Sequence, residues 1–256
     1  MTLLAVENVT KRYRLPRRAL LKPPAVLTAV DAASFTLERG QTLGIVGESG
    51  SGKSTLARMV MAFEKPDAGR VLFEGNDLAA LSPNTLRSLR PHFQLVFQDP
   101  YGSLNPRRTV GWSIAEPLRA TGQAERHRVS EALDQVGLRP ADAEKYPHEF
   151  SGGQRQRVAI ARAIVTRPSL LVADEAVSAL DMSVQAQILN LLMDLQDELG
   201  LAILFISHDL SVVGSICDSI IVMKHGKIVE YGAAEQIMRA PEKGYTRSLM
   251  TAAGLI

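Results

Sequence analysis

The chain contains one cysteine, Cys217, in 256 residues. No internal disulfide can form, and a reducing compartment fits that usage. No apolar run approaches the ~20 residues a bilayer-spanning helix needs. The opening Met-Thr-Leu-Leu-Ala-Val-Glu has neither the basic region nor the long apolar stretch of a secretory signal. Any membrane role is therefore expected to come through a partner. No charge of one sign dominates, with Lys plus Arg at 29 and Asp plus Glu at 27. The global balance thus gives no case for a nucleic-acid partner. Internal repeats and low-complexity tracts are also lacking.

One stretch is locally basic: Lys11, Arg12, Arg14, Arg17, Arg18 and Lys22, interrupted by Pro16, Pro23 and Pro24. It reads as a solvated loop, with a phosphate or lipid-headgroup patch as the alternative. Leu3–Val9 and 34–38 read as strands on either side of it.

From residue 42 onward the order is repeatedly β then α. The apolar run 42–46 ends at glycines and reads as a buried strand, followed by a helix over 53–63. Strands are expected at 69–73, 93–97, 170–173, 202–207, 219–223 and 227–230, the last two as a hairpin around His225-Gly226. Helices are expected at 152–165, 183–199 and 210–215, with Gly200 ending the second. Between Asp99 and Pro147, Gly, Pro and charged residues interrupt short helical patterns at 114–119 and 126–136. The order predicts an α/β fold with a mostly parallel sheet, an N-terminal antiparallel β part and an inserted helical subdomain at about 99–165. The whole chain reads as one domain.

The strand-to-helix turn at 47–54 reads Gly47-Glu48-Ser49-Gly50-Ser51-Gly52-Lys53-Ser54 and fits the P-loop pattern, with Thr55 following as a further nucleotide-binding residue. Glycines let successive N–H groups turn inward on the phosphates of ATP, and the next helix adds its positive end. Lys53 is expected on the β/γ oxygens, and the Ser54 hydroxyl on Mg²⁺. Leu170–Glu175 is an apolar strand ending in two carboxylates. Alone, it could equally be a strand ending in solvated acids.

A second signature, Ser151-Gly152-Gly153-Gln154-Arg155, changes the reading. With the P-loop it resembles the ATP-binding-cassette (ABC) transporter ATPases, whose Ser-Gly-Gly-Gln segment faces the γ-phosphate held by another subunit. Seven elements occur in the family's order along nearly the whole chain. The resemblance implies that Asp174 holds Mg²⁺ and that Glu175 is the general base. It makes Gln98 a contact to Mg²⁺ or the attacking water, and His208 a hydrogen-bond partner of the γ-phosphate. Asp181 in Ser178-Ala179-Leu180-Asp181 would cross the dimer interface, and Tyr13 would stack on adenine. Phe150 stands where many members carry leucine, which a backbone-read signature tolerates.

Segments 97–107, 146–151 and 183–187 and the pair Tyr245-Thr246 are similar to the oligopeptide/dipeptide/nickel importers, and closest to the second, F-type ATPase of dipeptide systems. That resemblance implies ATP hydrolysis driving import of small peptides. The implied partners are two transmembrane permeases, a second ABC ATPase in a hetero- or homodimer, and a periplasmic or extracellular solute-binding protein. The chain would lie peripherally on the cytoplasmic face of the inner membrane. Residues 99–107 would grip a permease helix, with Tyr101 and Leu104 as contacts. Ala176, where most peptide-importer ATPases carry proline, and the end of the chain at Ile256 both pull toward nickel or a metal chelate as the alternative solute.

Overall fold

The computed structural model describes residues 1–16, 25–120, 122 and 126–255. Arg17, Arg18 and Lys22 of the basic run lie outside them, as does the Tyr101 side chain. Ten strands are present among the described residues: β1 (Thr2–Arg14), β2 (Val26–Glu38), β3 (Thr42–Val46), β4 (Ala68–Phe73), β5 (Asn76–Asp77), β6 (Phe93–Val96), β7 (Leu170–Asp174), β8 (Ala202–Ile206), β9 (Ser219–Lys224) and β10 (Lys227–Ala233). The chain divides into two compact units.

The first unit comprises residues 1–38, 42–81 and 206–256. Its antiparallel sheet runs β2-β1-β4-β5. β1 is longer than the sequence suggested, because Asn8 in a left-handed conformation (φ 49°) and the register shifts beside it break the alternation of buried residues. Lys11, Arg12 and Arg14 therefore belong to a strand rather than to a loop. Lys11 donates to the Lys65 carbonyl at 2.7 Å and lies 3.5 Å from Asp67, so its charge is engaged within the unit, while the Arg12 backbone amide donates to Asp67 at 2.6 Å. In the same unit β3 lies parallel to β9, and β10 pairs antiparallel with β9. All five residues of β3 are buried, which accounts for its unbroken apolar run. The β9–β10 turn is His225-Gly226, both at positive φ as a tight hairpin requires.

The second unit comprises residues 39–41 and 82–205. Its strands run β8-β7-β6, with β6 parallel to β7. The helix Gly152–Ile164 is its central element, burying Val158, Ile160 and Ile164 among others. The helix Met182–Leu199 buries Ile188, Leu191, Leu192 and Leu195 and stops at Gly200, whose φ of 64° suits glycine. The helix expected over 114–119 is two short ones, Val110–Ile114 and Glu116–Ala120, joined at Ala115. A helix at Pro83–Leu89, with Ser82 as N-cap, was not expected.

Candidate functional site: a phosphate loop and its companions

β3 delivers the chain into the glycine-rich loop, and the loop's backbone is supported from outside. A Cβ on Gly47 would lie 2.3 Å from the Met223 carbonyl oxygen, and one on Gly52 would lie 2.3 Å from that of Ala29. Both glycines are thus demanded by neighbouring backbone. Gly50 (φ 79°) faces open space. The Gly226 amide donates to the Ser51 carbonyl at 2.9 Å, tying the loop to the β9–β10 turn.

Inside the loop, the Lys53 ammonium donates to the carbonyls of Gly47 (2.6 Å) and Glu48 (3.0 Å). Lys53 is only 5% exposed, so an anion placed there would meet a cation already desolvated and held in position. The helix Lys53–Val60 begins at Gly52 (φ 108°) with no side-chain cap. The buried Ser51 Oγ has no hydrogen-bond partner. Uncapped amides, a held cation and an orphaned hydroxyl together fit a polyphosphate. Ser54 is exposed on the first turn and Thr55 half-buried beside it.

Tyr13 on β1 reaches this helix. Its hydroxyl donates to Glu64 and comes within hydrogen-bonding reach of Thr55. Burial, then the Glu64 bond, pushes its phenol up. The half-buried ring therefore lies beside the nucleotide-loop helix. The same unit brings His208 to the loop: His208 and Gly47 both line a cavity of about 370 Å³. His208 sits on the turn after β8, where Asp209 caps the helix Leu210–Ile216 through the amides of Ser211 (2.8 Å) and Val212 (3.3 Å).

In the second unit β7 ends at Asp174, half-exposed. Glu175 follows at φ 50°, a left-handed conformation unusual for a non-glycine residue. The Ser178 amide and hydroxyl both donate to the Glu175 carbonyl, at 3.1 and 3.0 Å, closing the turn. Gln98, just past β6, donates through Nε2 to the Ser178 hydroxyl at 3.3 Å. The structure thus joins Gln98 to the turn that follows Glu175. Sequence reasoning missed Ser178 as the connecting residue, and a serine in a polar turn gives no signal of such a role. Asp181 is the N-cap of Met182–Leu199, accepting from the Val184 amide at 3.0 Å, a bond that holds its carboxyl below the usual range.

The Ser-Gly-Gly-Gln segment opens the helix Gly152–Ile164 as a reciprocal cap. Ser151 Oγ accepts from the Gln154 amide (3.3 Å), and Gln154 Oε1 accepts from the Ser151 amide (3.0 Å). Ser151, Gly152 and Gln154 are exposed, and Phe150 is buried. A Cβ on Gly153 would lie 2.5 Å from Val184 Cγ1, so close packing adds its own demand for glycine there. At the far end of this helix, the Arg162 guanidinium donates to the Ser103 carbonyl at 2.5 Å. Leu104 beside it is 3% exposed. That corrects the expectation that Leu104 offers its side chain to a permease: it is a core residue.

No helix among the described residues is long and apolar enough to cross a membrane. Nor, among them, do three or more His, Cys, Asp or Glu side chains cluster as a metal centre.

With this geometry in hand, comparison with known proteins is specific. Residues 30–178 match the ABC transporter family. A probable peptide ABC transporter ATP-binding protein of Sinorhizobium fredii is 51% identical over 98% of this chain and 72% of its own length. The dipeptide transport ATP-binding protein DppF of Escherichia coli is 48% identical over 98% of this chain and 76% of its own. Among solved structures, a dimeric ATP-binding cassette bound to ADP and Pi superposes with a TM-score of 0.78 at 29% identity, covering 91% of this chain and 99% of that one. A subunit of the cbiONQ transporter complex from Clostridium perfringens superposes with a TM-score of 0.79 at 29% identity, over 98% and 95%. The chain belongs to the ABC transporter family, as one of its ATP-binding cassettes.

Proposed function

We propose that this chain is the ATP-hydrolysing subunit that powers import of small peptides through a membrane transporter. The observation that carries the ATPase reading is the uncapped start of Lys53–Val60 at a loop whose lysine is buried and already oriented. The peptide reading rests on relatives 48–51% identical over nearly the whole chain, which are named for peptides or dipeptides. Ala176 is buried at 2% in the turn after Glu175, and the solute assignment follows the relatives rather than this residue.

In this reading the loop amides and Lys53 bind the β- and γ-phosphates, and Tyr13 offers its ring to the adenine. Glu175, set on its strained turn, takes a proton from the attacking water, while His208 steadies the γ-phosphate. Ser54, Gln98 and Asp174 offer hydroxyl, amide and carboxylate oxygens, a hard-donor set that suits Mg²⁺. When bound, that ion offsets charge on the phosphate oxygens. Ser151–Gln154 and Asp181 serve the nucleotide of a second ATPase subunit. Two permeases and a solute-binding protein complete the assembly, with this chain peripheral on the cytoplasmic face. The stretch at about 99–165 acts as its helical subdomain, and 99–107 meets the permease by surfaces other than Leu104.

The test is Glu175→Gln. ATP binding should persist, turnover should fall roughly 10²–10⁴-fold, and an ATP-dependent dimer should accumulate when the partner ATPase is supplied. Normal turnover removes Glu175 from the mechanism. For the solute, a strain lacking this gene should fail to grow on a dipeptide as sole amino-acid source while its nickel enzymes stay active. The reverse pattern overturns the peptide assignment.

A further inference from the structure

The helix Gly244–Ala252 carries Tyr245-Thr246, which the site described above leaves unused. It is anchored firmly at its start. The Glu230 carboxylate on β10 accepts the Glu242 amide at 2.7 Å, the Lys243 amide at 3.3 Å and the Thr246 hydroxyl. Thr246 is fully buried. Tyr245 next to it is held from another side, with the Lys224 ammonium 4.3 Å from its ring centroid. Its hydroxyl is buried yet closes no hydrogen bond of normal geometry. The polar groups it faces are the backbone amide and carboxylate of Glu48.

Glu48 is central to the phosphate loop. Its carbonyl accepts both the Lys53 ammonium (3.0 Å) and the Ser51 amide (3.1 Å). The end of β9 serves both partners: Met223 backs Gly47, and Lys224 covers the Tyr245 ring. Farther along the same helix, Leu249, Ala252 and Ala253 wall the cavity that Gly47 and His208 also line. An orphaned phenol in a helix otherwise fixed by three donors, aimed at the peptide that orients the loop lysine, needs a purpose.

We propose that the helix Gly244–Ala252 braces the phosphate loop, with Tyr245 a positioning residue that acts through Glu48. The brace rests on the ATPase reading and adds a residue to that same site. Burial pushes the Tyr245 phenol up, so it stays protonated and can donate to the Glu48 carboxylate while accepting from its amide. The amide contact fixes the Gly47–Glu48 peptide plane, and with it the Gly47 carbonyl that holds Lys53 at 2.6 Å, while the carboxylate contact ties down the Glu48 side chain.

The experiment measures ATP binding, hydrolysis and melting of the full chain carrying Tyr245→Phe, Glu48→Ala or both. Phenylalanine keeps the ring under Lys224, so the variant folds. Tyr245→Phe should raise the KM and Kd for ATP about 2- to 12-fold, the usual worth of one hydrogen bond, with kcat and Tm nearly unchanged. The double variant should lose less than the product of the single losses, because Glu48→Ala removes the carboxylate contact and leaves the amide one. Unchanged ATP affinity in Tyr245→Phe overturns the brace. So does a double-variant loss equal to the product of the single losses, or a fall in kcat and Tm together. A wild-type chain that neither binds nor hydrolyses ATP sinks the ATPase reading along with it. Wild-type turnover beside an unaffected Tyr245→Phe sinks the brace alone.

Discussion

Alanine scanning of the phosphate-loop glycines separates what the fold requires from what the ligand requires. At Gly50 an added Cβ meets nothing within 4 Å, so the cost is the positive φ alone. That is about 1–2 kcal/mol for an L-residue, reduced by about 0.4–1 kcal/mol because alanine has less unfolded-state freedom to lose. At Gly47 and Gly52 the same Cβ lies 2.3 Å from a backbone carbonyl oxygen, which no rotamer change can move. Overpacking of that kind adds about 1–3 kcal/mol to the φ cost. Each kcal/mol lowers Tm by about 2–4 °C in a chain of this size. Gly50→Ala should therefore melt only a few degrees below the wild type, whereas Gly47→Ala and Gly52→Ala should each lose roughly twice that or more. ATP binding then reverses the emphasis. In the proposed reading a phosphate lies against the open side of Gly50, so Gly50→Ala should bind ATP at least tenfold more weakly (about 1.4 kcal/mol) despite its small stability loss. Thermal melts without nucleotide and titration with ATP give both numbers. Equal melting of the three variants refutes the steric argument, and normal ATP affinity in Gly50→Ala refutes the placement of the phosphate.

Two further substitutions test the second unit. Leu104→Ala should destabilise the chain by about 2–5 kcal/mol through a core cavity. Any loss of transport should then track the loss of folded protein, and an unchanged Tm would contradict the burial of Leu104. The Asp142 carboxylate lies 2.7 Å from Lys145 and accepts from the Arg139 amide, and these bonds, Lys145 first, hold its pKa at about 2 against an ordinary 3.8. The unfolded chain thus binds that proton more readily. The stabilisation is present above about pH 4 and fades as pH falls toward 2. Asp142→Asn should flatten stability over that window, and an unchanged acid limb would remove Asp142 from it.

Much of the site was legible because its chemistry is written in local runs. β3 and β7 are continuous apolar segments feeding a glycine turn and a carboxylate pair, and both lie where those runs placed them. The helix expected to open at Gly152 does so, with Ser151 and Gln154 as a capping box that the structure adds. Less legible were elements fixed by distant partners. The six-residue helix Ala234–Arg239 and the nine-residue helix Gly244–Ala252 are too short to declare themselves. The second is held in place by Glu230 on a strand whose expected end was that very residue. β1 and β2 extend beyond their apolar patterns because they pair with each other as far as Arg14 and Val26. The left-handed Glu175 could not be read at all, since nothing in Asp-Glu-Ala specifies that backbone. The Gln98–Ser178 bond joins residues 80 positions apart and leaves no local trace.

The N-termini of four helices, two in each unit, differ in a way that bears on the order of events. Asp181 and Asp209 cap their own helices, and Ser151 with Gln154 caps a third. Only Lys53–Val60, among these four, starts without a side-chain cap. An anion arriving at the phosphate loop therefore meets helix amides that no side chain occupies and competes only for the Lys53 ammonium, held by the Gly47 and Glu48 carbonyls, whereas one approaching Ser151 competes with a cap already made. That bond is long, 3.3 Å, and worth about 1 kcal/mol or less, so a γ-phosphate can replace it with stronger, charge-assisted contacts. On the proposed composite-site reading the expected order is ATP at the open loop first and a partner's signature helix second. Ser151→Ala should then leave ATP affinity of the isolated chain unchanged while cutting hydrolysis, and weakened binding by the isolated chain would refute that order. On the same reading a self-capped signature would oppose closure of two empty cassettes and make closure conditional on nucleotide, and a wild-type dimer formed without ATP would refute it.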